Sequence, residues 1–147
     1  MHFEDKFEIN ASLDKVWSFI TDPREFVKVI PDLQRQEIID ERRFSIEFKM
    51  GLGMIKGTVK MNMEFKELRP KAYIKLVGKG SGLQSTADLS IMLNLSTSDG
   101  KTLVNWSADL NVAGTVMSVG SRFIEPTTKS KVIEIVQGIK REVEKAG

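Results

Sequence analysis

The 147-residue chain has no cysteine, a single histidine, and no apolar run approaching the ~18 residues that a membrane-spanning helix requires. The missing cysteine excludes disulfides, thiol catalysis, iron–sulfur clusters and zinc fingers, and it suits a reducing compartment. The lone His2 stands beside the terminus, where it makes a poor general base or metal ligand. A metal site would have to be built from carboxylates, and these show no clustered spacing. The net charge of +2 has its two signs interspersed, whereas a nucleic-acid binder needs concentrated phosphate-neutralising charge. The chain is charged from Glu4 onward and alternates like a strand, so no signal peptide is expected. These absences lead to the expectation of one soluble cytoplasmic domain over residues 1–147, with no cofactor.

What is present is patterned with two periods. Phe3, Phe7 and Ile9 alternate with Glu4, Lys6 and Glu8, the signature of a half-buried strand. Leu13, Val16, Trp17 and Ile20 then follow helical spacing after Ser12, and Asp22-Pro23-Arg24-Glu25 reads as N-cap, N1 proline and capping-box glutamate of a second helix running to about Ile30. Pro31 stops it. Six strands come next. Leu33 to Asp40 is weakly apolar and suits an edge. Phe44, Ile46, Phe48 and Met50 alternate strictly with polar residues, as do Ile55, Gly57, Val59, Met61, Met63 and Phe65 beyond a Gly51–Gly53 turn. Arg69-Pro70 ends that run. Ile74 and Leu76 point inward from the next strand, Ala87 to Leu95 alternate in the one after, and Val104 to Val112 form the last. Asp99-Gly100 has the chemistry of a two-residue hairpin turn. Gly78, Gly80 and Gly82 fail as a phosphate cradle because a strand follows them, so they read as turn or bulge glycines.

From Gly114 to Lys145 the period changes to 3.6, with Val116, Val119, Phe123, Val132, Ile135 or Val136, Ile139 and Val143 on one face. Thr115 is the expected N-cap, and Pro126 is expected to kink or split this helix. A meander of short-turned strands buries one face, and only the long helix can cover it. The expected fold is therefore α+β: a seven-stranded curved antiparallel sheet gripping a long C-terminal helix, with two short helices after the first strand.

Three stretches carry a resemblance. They are Phe7 to Pro23 (FEINASLDKVWSFITDP), Phe48 to Thr58 (FKMGLGMIKGT) and Gly120 to Ile124 (GSRFI). With the order of elements, they resemble the CoxG branch of the START-like (SRPBCC, Bet v 1-type) superfamily, the family of the carbon monoxide dehydrogenase CoxG subunit. The resemblance implies a helix-grip fold with a hydrophobic cavity and no catalytic activity. It also implies an accessory role beside molybdenum-containing carbon monoxide dehydrogenases, in membrane attachment or in handling a lipophilic acceptor such as a quinone.

The residues themselves are compatible with that reading. Met50, Met61 and Met63 share the inward face with Phe48 and Phe65, and methionine suits adaptable apolar surfaces as well as plain core. The expected ligand-binding lining is Phe48, Met50, Val59, Met61, Ile74, Leu76, Leu89, Ile91, Trp106, Val119 and Phe123. Inward polar candidates are few: Asp5, Arg35, Glu37 and Ser85. Lys49, Lys56, Lys60, Lys66, Lys75 and Lys79 face outward, where they solvate the sheet or offer a dock to an acidic partner or the inner face of an anionic membrane. Expected partners are thus a lipid or quinone-like molecule and a molybdenum hydroxylase or carbon monoxide dehydrogenase. The rival readings are a polyketide cyclase or hydratase-like enzyme on the same fold, and a scaffold with a filled core.

Overall fold

The computed structural model describes residues 1–145, with every side chain among them except that of Val119. Seven strands form one antiparallel sheet: β1 (His2–Ile9), β2 (Leu33–Ile38), β3 (Arg43–Leu52), β4 (Ile55–Arg69), β5 (Tyr73–Gly82), β6 (Ser85–Ser98) and β7 (Lys101–Gly114). Their order is β1-β7-β6-β5-β4-β3-β2, a meander with the first strand laid beside the last and β2 at an edge. Asp99 (φ 51°) and Gly100 (φ 80°) supply the left-handed turn that fixes the β6–β7 register.

Between β1 and β2 lie α1 (Leu13–Ile20) and α2 (Pro23–Phe26). The Ser12 hydroxyl accepts from the Lys15 N–H at 3.3 Å and the Asp22 carboxylate from the Arg24 N–H at 3.0 Å. The second helix is shorter than the pattern suggests. After Phe26 it tightens into a 3-10 turn over Val27–Val29, and Glu25 binds Lys28 at 3.0 Å instead of closing a capping box.

The C-terminal helix is also divided, at a different place from the one expected. α3 (Thr115–Val119) and α4 (Ser121–Lys145) break at Gly120, and Pro126 lies inside α4. A proline in the second turn removes one main-chain bond and the helix absorbs it. At Gly120 the chain passes so close to β3 and β4 that a Cβ would meet Ile55 at 3.3 Å and Leu52 at 3.4 Å. The N-cap of α3 is Gly114 (φ 119°) rather than Thr115, and the missing cap bond is made across the fold, where the Val116 N–H donates to Ser85 Oγ at 2.9 Å.

α4 is pinned at two ends. Near its start, Ile124 packs with Leu52 and Val116. Near its finish, Ile139 and Val143 enter the main core, Gly138 lies against Val29, and the Glu144 carboxylate accepts the Asn10 N–H at 2.9 Å. The middle of the helix bridges the space between these anchors.

A candidate ligand cavity beneath the long helix

The interior is solid at one end. Phe26, Phe44 and Phe65 form an aromatic cluster with ring centroids 6.0–6.5 Å apart, and Ile74 and Val104 beside them are wholly buried. Along the same strands toward the other end, the inward side chains shrink. On β5 the series runs Ile74, Leu76, Gly78, Gly80, and on β6 it runs Leu93, Ile91, Leu89, Ala87. A cavity of about 280 Å³ opens there, between the sheet and α4. Leu89, Ile91 and Leu93 are half-buried although they face inward, because the hollow lies against them.

Eight of the eleven expected lining residues stand on this wall: Phe48, Met50, Val59, Met61, Leu76, Leu89, Ile91 and Trp106. Two do not. Ile74 is sealed in the packed end at 0 % exposure, two residues too far down its strand. Phe123 points at the β3–β4 turn, where its ring occupies the space that a side chain on Gly53 would need. The side chain of Val119 lies outside the described residues. Of the four polar candidates, only Ser85 borders the cavity, with its hydroxyl donating to the Leu83 carbonyl at 3.2 Å as well as capping α3. Asp5, Arg35 and Glu37 are exposed.

Sequence reasoning misplaced the glycines of β5, of which Gly80 borders the cavity and Gly78 is covered by methionine. Gly78 and Gly80 are not turn glycines. They sit within β5, opposite Met63 and Met61 of β4, and those methionines lean over them; a Cβ on Gly78 would lie 2.5 Å from Met63 Sδ. The turn comes later, at Leu83 (φ 57°) and Gln84 (φ 56°), two non-glycine residues held in the left-handed region. Such backbone costs about 1–3 kcal/mol per residue. It sets Leu83 on the cavity wall and over Gly57. Inward parity of Gly78 and Gly80 with Ile74 and Leu76 was the available signal.

Lys131 of α4 was missed as well. It is the one charged residue on the cavity wall among the described residues. Its ammonium stands 5.7 Å from the Phe48 ring centroid and 3.2 Å from Asp32 Oδ2. Beyond it, between α4 and the β3–β4 hairpin, runs an open groove bordered by Lys49, Lys56, Thr58, Thr127, Ser130 and Glu134. Met50 and Lys131 border both spaces. Among the described residues no three histidine, cysteine, aspartate or glutamate side chains gather as a metal site, and no helix is long and apolar enough to cross a membrane.

The family model for the carbon monoxide dehydrogenase CoxG subunit matches residues 6–144. The chain belongs to the CoxG family. No curated protein sequence matches it. Its backbone is similar to that of a conserved protein from Geobacillus kaustophilus, at TM-score 0.88 and 22% identity over 99% of this chain and 97% of that one. A START superfamily protein from Mycobacterium smegmatis superposes at TM-score 0.77 and 11% identity, covering 99% of both chains. The Zhui aromatase/cyclase from Streptomyces sp. R1128 does so at 0.68 and 14%, over 98% of this chain and 93% of the other. At these identities the likeness is one of fold, the START-like helix grip. In this CoxG-family chain two of the resemblance-bearing stretches meet: Phe123, from Gly120–Ile124, caps the glycine turn of Phe48–Thr58 at the hollow end.

Proposed function

We propose that this protein is a non-enzymatic accessory subunit that encloses a hydrophobic small molecule, a lipid or quinone-like compound, for a molybdenum carbon monoxide dehydrogenase-type enzyme. The cavity carries this reading. Space left unfilled in a protein core costs about 24 cal/mol per Å³, so an apolar hollow of about 280 Å³ is not what stability alone would favour. Gly80 borders the void where a larger strand residue would enter it, which supports the reading that the space serves a guest. The family's name is what supports this choice of partner enzyme. Such a partner would hold the protein in the cytoplasm or against the inner face of the membrane, where its outward lysines meet acidic surfaces.

The likeness to an aromatase/cyclase keeps catalysis as the second reading. Ring-closing chemistry needs acid and base groups converging on the substrate. The wall includes Ser81, Ser85, Thr86, Thr128 and Lys131, with the Ser85 hydroxyl already engaged by Leu83 and Val116, and no carboxylate, histidine or tyrosine among its residues. Burial of an apolar guest is the chemistry that this wall supports best.

Filling and charging the cavity test the proposal. In Gly80→Leu the new Cβ makes ordinary contacts of 3.4–3.5 Å with Met61 and Ala87, and the side chain enters the void. This variant is expected to be at least as stable as the parent and to lose binding of a neutral lipophilic dye or quinone analogue. Met61→Lys buries an unpaired charge at a site 8% exposed and is expected to lose both binding and stability. If both variants fold and bind the quinone analogue as the parent does, the cavity is not the ligand site.

A further inference from the structure

Resting on that ligand-binding reading, we infer that the natural guest is an amphiphile whose head carries one negative charge, such as a carboxylate, seated on the ammonium of Lys131.

A purely apolar guest needs no cation on the wall, and partial desolvation of an ammonium beside it is a cost without return. Lys131 nevertheless lies across the seam between the cavity and the polar groove. Its side chain is only 16% exposed, whereas the Asp32 carboxylate that meets it is 62% exposed. The stem runs along the apolar wall and the ammonium reaches the rim, the usual posture of a snorkelling lysine. Phe48, itself a wall residue, holds the charge over its ring face.

A guest with its tail among Leu76, Leu89 and Ile91 must bring its head out past this ammonium. There an anionic oxygen gains a charge-assisted hydrogen bond that a hydroxyl or carbonyl gains only weakly. Lysine presents a compact point charge, suited to a single anionic head and indifferent to its plane. Asp32 holds the place of that head and is easily exchanged, since water already competes for so exposed a carboxylate. The adjoining groove sets Lys49 and Lys56 against Asp32 and Glu134, and Lys131 itself tips the balance, so an acidic head at its mouth meets a net positive charge. An ammonium-headed amphiphile meets repulsion along the same route.

The test uses the intact, delipidated protein and a neutral naphthylamine dye displaced by four competitors: dodecanoate, dodecanol, dodecylamine and a neutral alkyl-benzoquinone. Dodecanoate is expected to displace the dye at about tenfold lower concentration than dodecanol or the quinone, and dodecylamine is expected to be the weakest. Lys131→Met should bring dodecanoate down to the level of dodecanol. Lys131→Glu should turn the preference toward dodecylamine, and Asp32→Asn should strengthen dodecanoate several-fold by removing its competitor. Equal displacement by carboxylate, alcohol and quinone in the parent protein would overturn the head assignment while leaving the cavity reading intact. A preference that survives Lys131→Met overturns it too. Failure of the dye to bind at all sinks both.

Discussion

The two ends of this interior share one sheet, one inward face and the same alternation, yet one is solid and the other hollow. At the solid end Phe44 and Phe65 are 0 % exposed and Phe26 closes on them edge-to-face, with interplanar angles of 74° and 65°. At the hollow end glycine and alanine replace the large side chains at Gly80 and Ala87, and α4 passes overhead without descending to fill the gap. The difference teaches where the fold is packed for stability and where room is left. α1, α2 and the aromatic cluster hold the fold, and that rigidity lets the other half remain under-packed. A domain hollow throughout could not offset its conformational entropy.

Deleting the same kind of bulk from each end is the sharpest test. Phe65→Ala is expected to cost about 3–5 kcal/mol, because it opens a new void in a packed site. Leu89→Ala, which only widens an existing one, should cost nearer ~1 kcal/mol. Urea unfolding midpoints compare them, and equal losses would mean that the two ends are packed alike. Next in size is Gly138→Val. A Cβ there already approaches Val29 Cβ at 3.0 Å, so the branched side chain should lift α4 off its anchor. The expected loss is about 1–3 kcal/mol, with dye affinity falling in step because the roof of the hollow end shifts.

The smallest effect lies outside both halves. His2 Nδ1 meets Asp109 at 2.8 Å and Nε2 meets Glu4 at 3.1 Å on the exposed face of β1 and β7. These hydrogen bonds, that to Asp109 foremost, raise the imidazole's pKa above its ordinary value. A raised histidine contributes stability that is complete below its unfolded pKa and is lost as the pH climbs through the folded one. A slight fall in the urea midpoint from about pH 5 to about pH 8 is therefore expected, and it should vanish in His2→Gln. If the slope instead changes in the Leu89 or Phe65 variants, the interior and this edge are coupled.

Much of this was legible in the chain. Strict alternation from Phe44 to Met50 and from Ile55 to Phe65 set two strands and their inward faces, and Asp99-Gly100 set a hairpin, because each depends on neighbours within a few residues. Ser12 and Asp22 announced their helices for the same reason. The misread places turned on contacts from afar. Gly78 and Gly80 look like punctuation until Met61 and Met63 of the neighbouring strand are seen lying over them. The helix breaks at Gly120 and survives Pro126, since the close approach of Leu52 and Ile55 decides it. Lys131 lies off the apolar face that the helical spacing marks, and only the crossing of the helix over the sheet makes it a rim residue.

By itself, then, the sequence determined the list of elements, which side of each strand is apolar, and the sheet-and-helix architecture those periods permit. Only the tertiary structure decided that the apolar face encloses a space. Periodicity records the polarity of a position, while a void is a difference between volumes brought together from distant parts of the chain. Here that difference is set by the anchoring of α4 at Ile124 and at Gly138–Val143, and by how far its middle stands above Gly80 and Ala87.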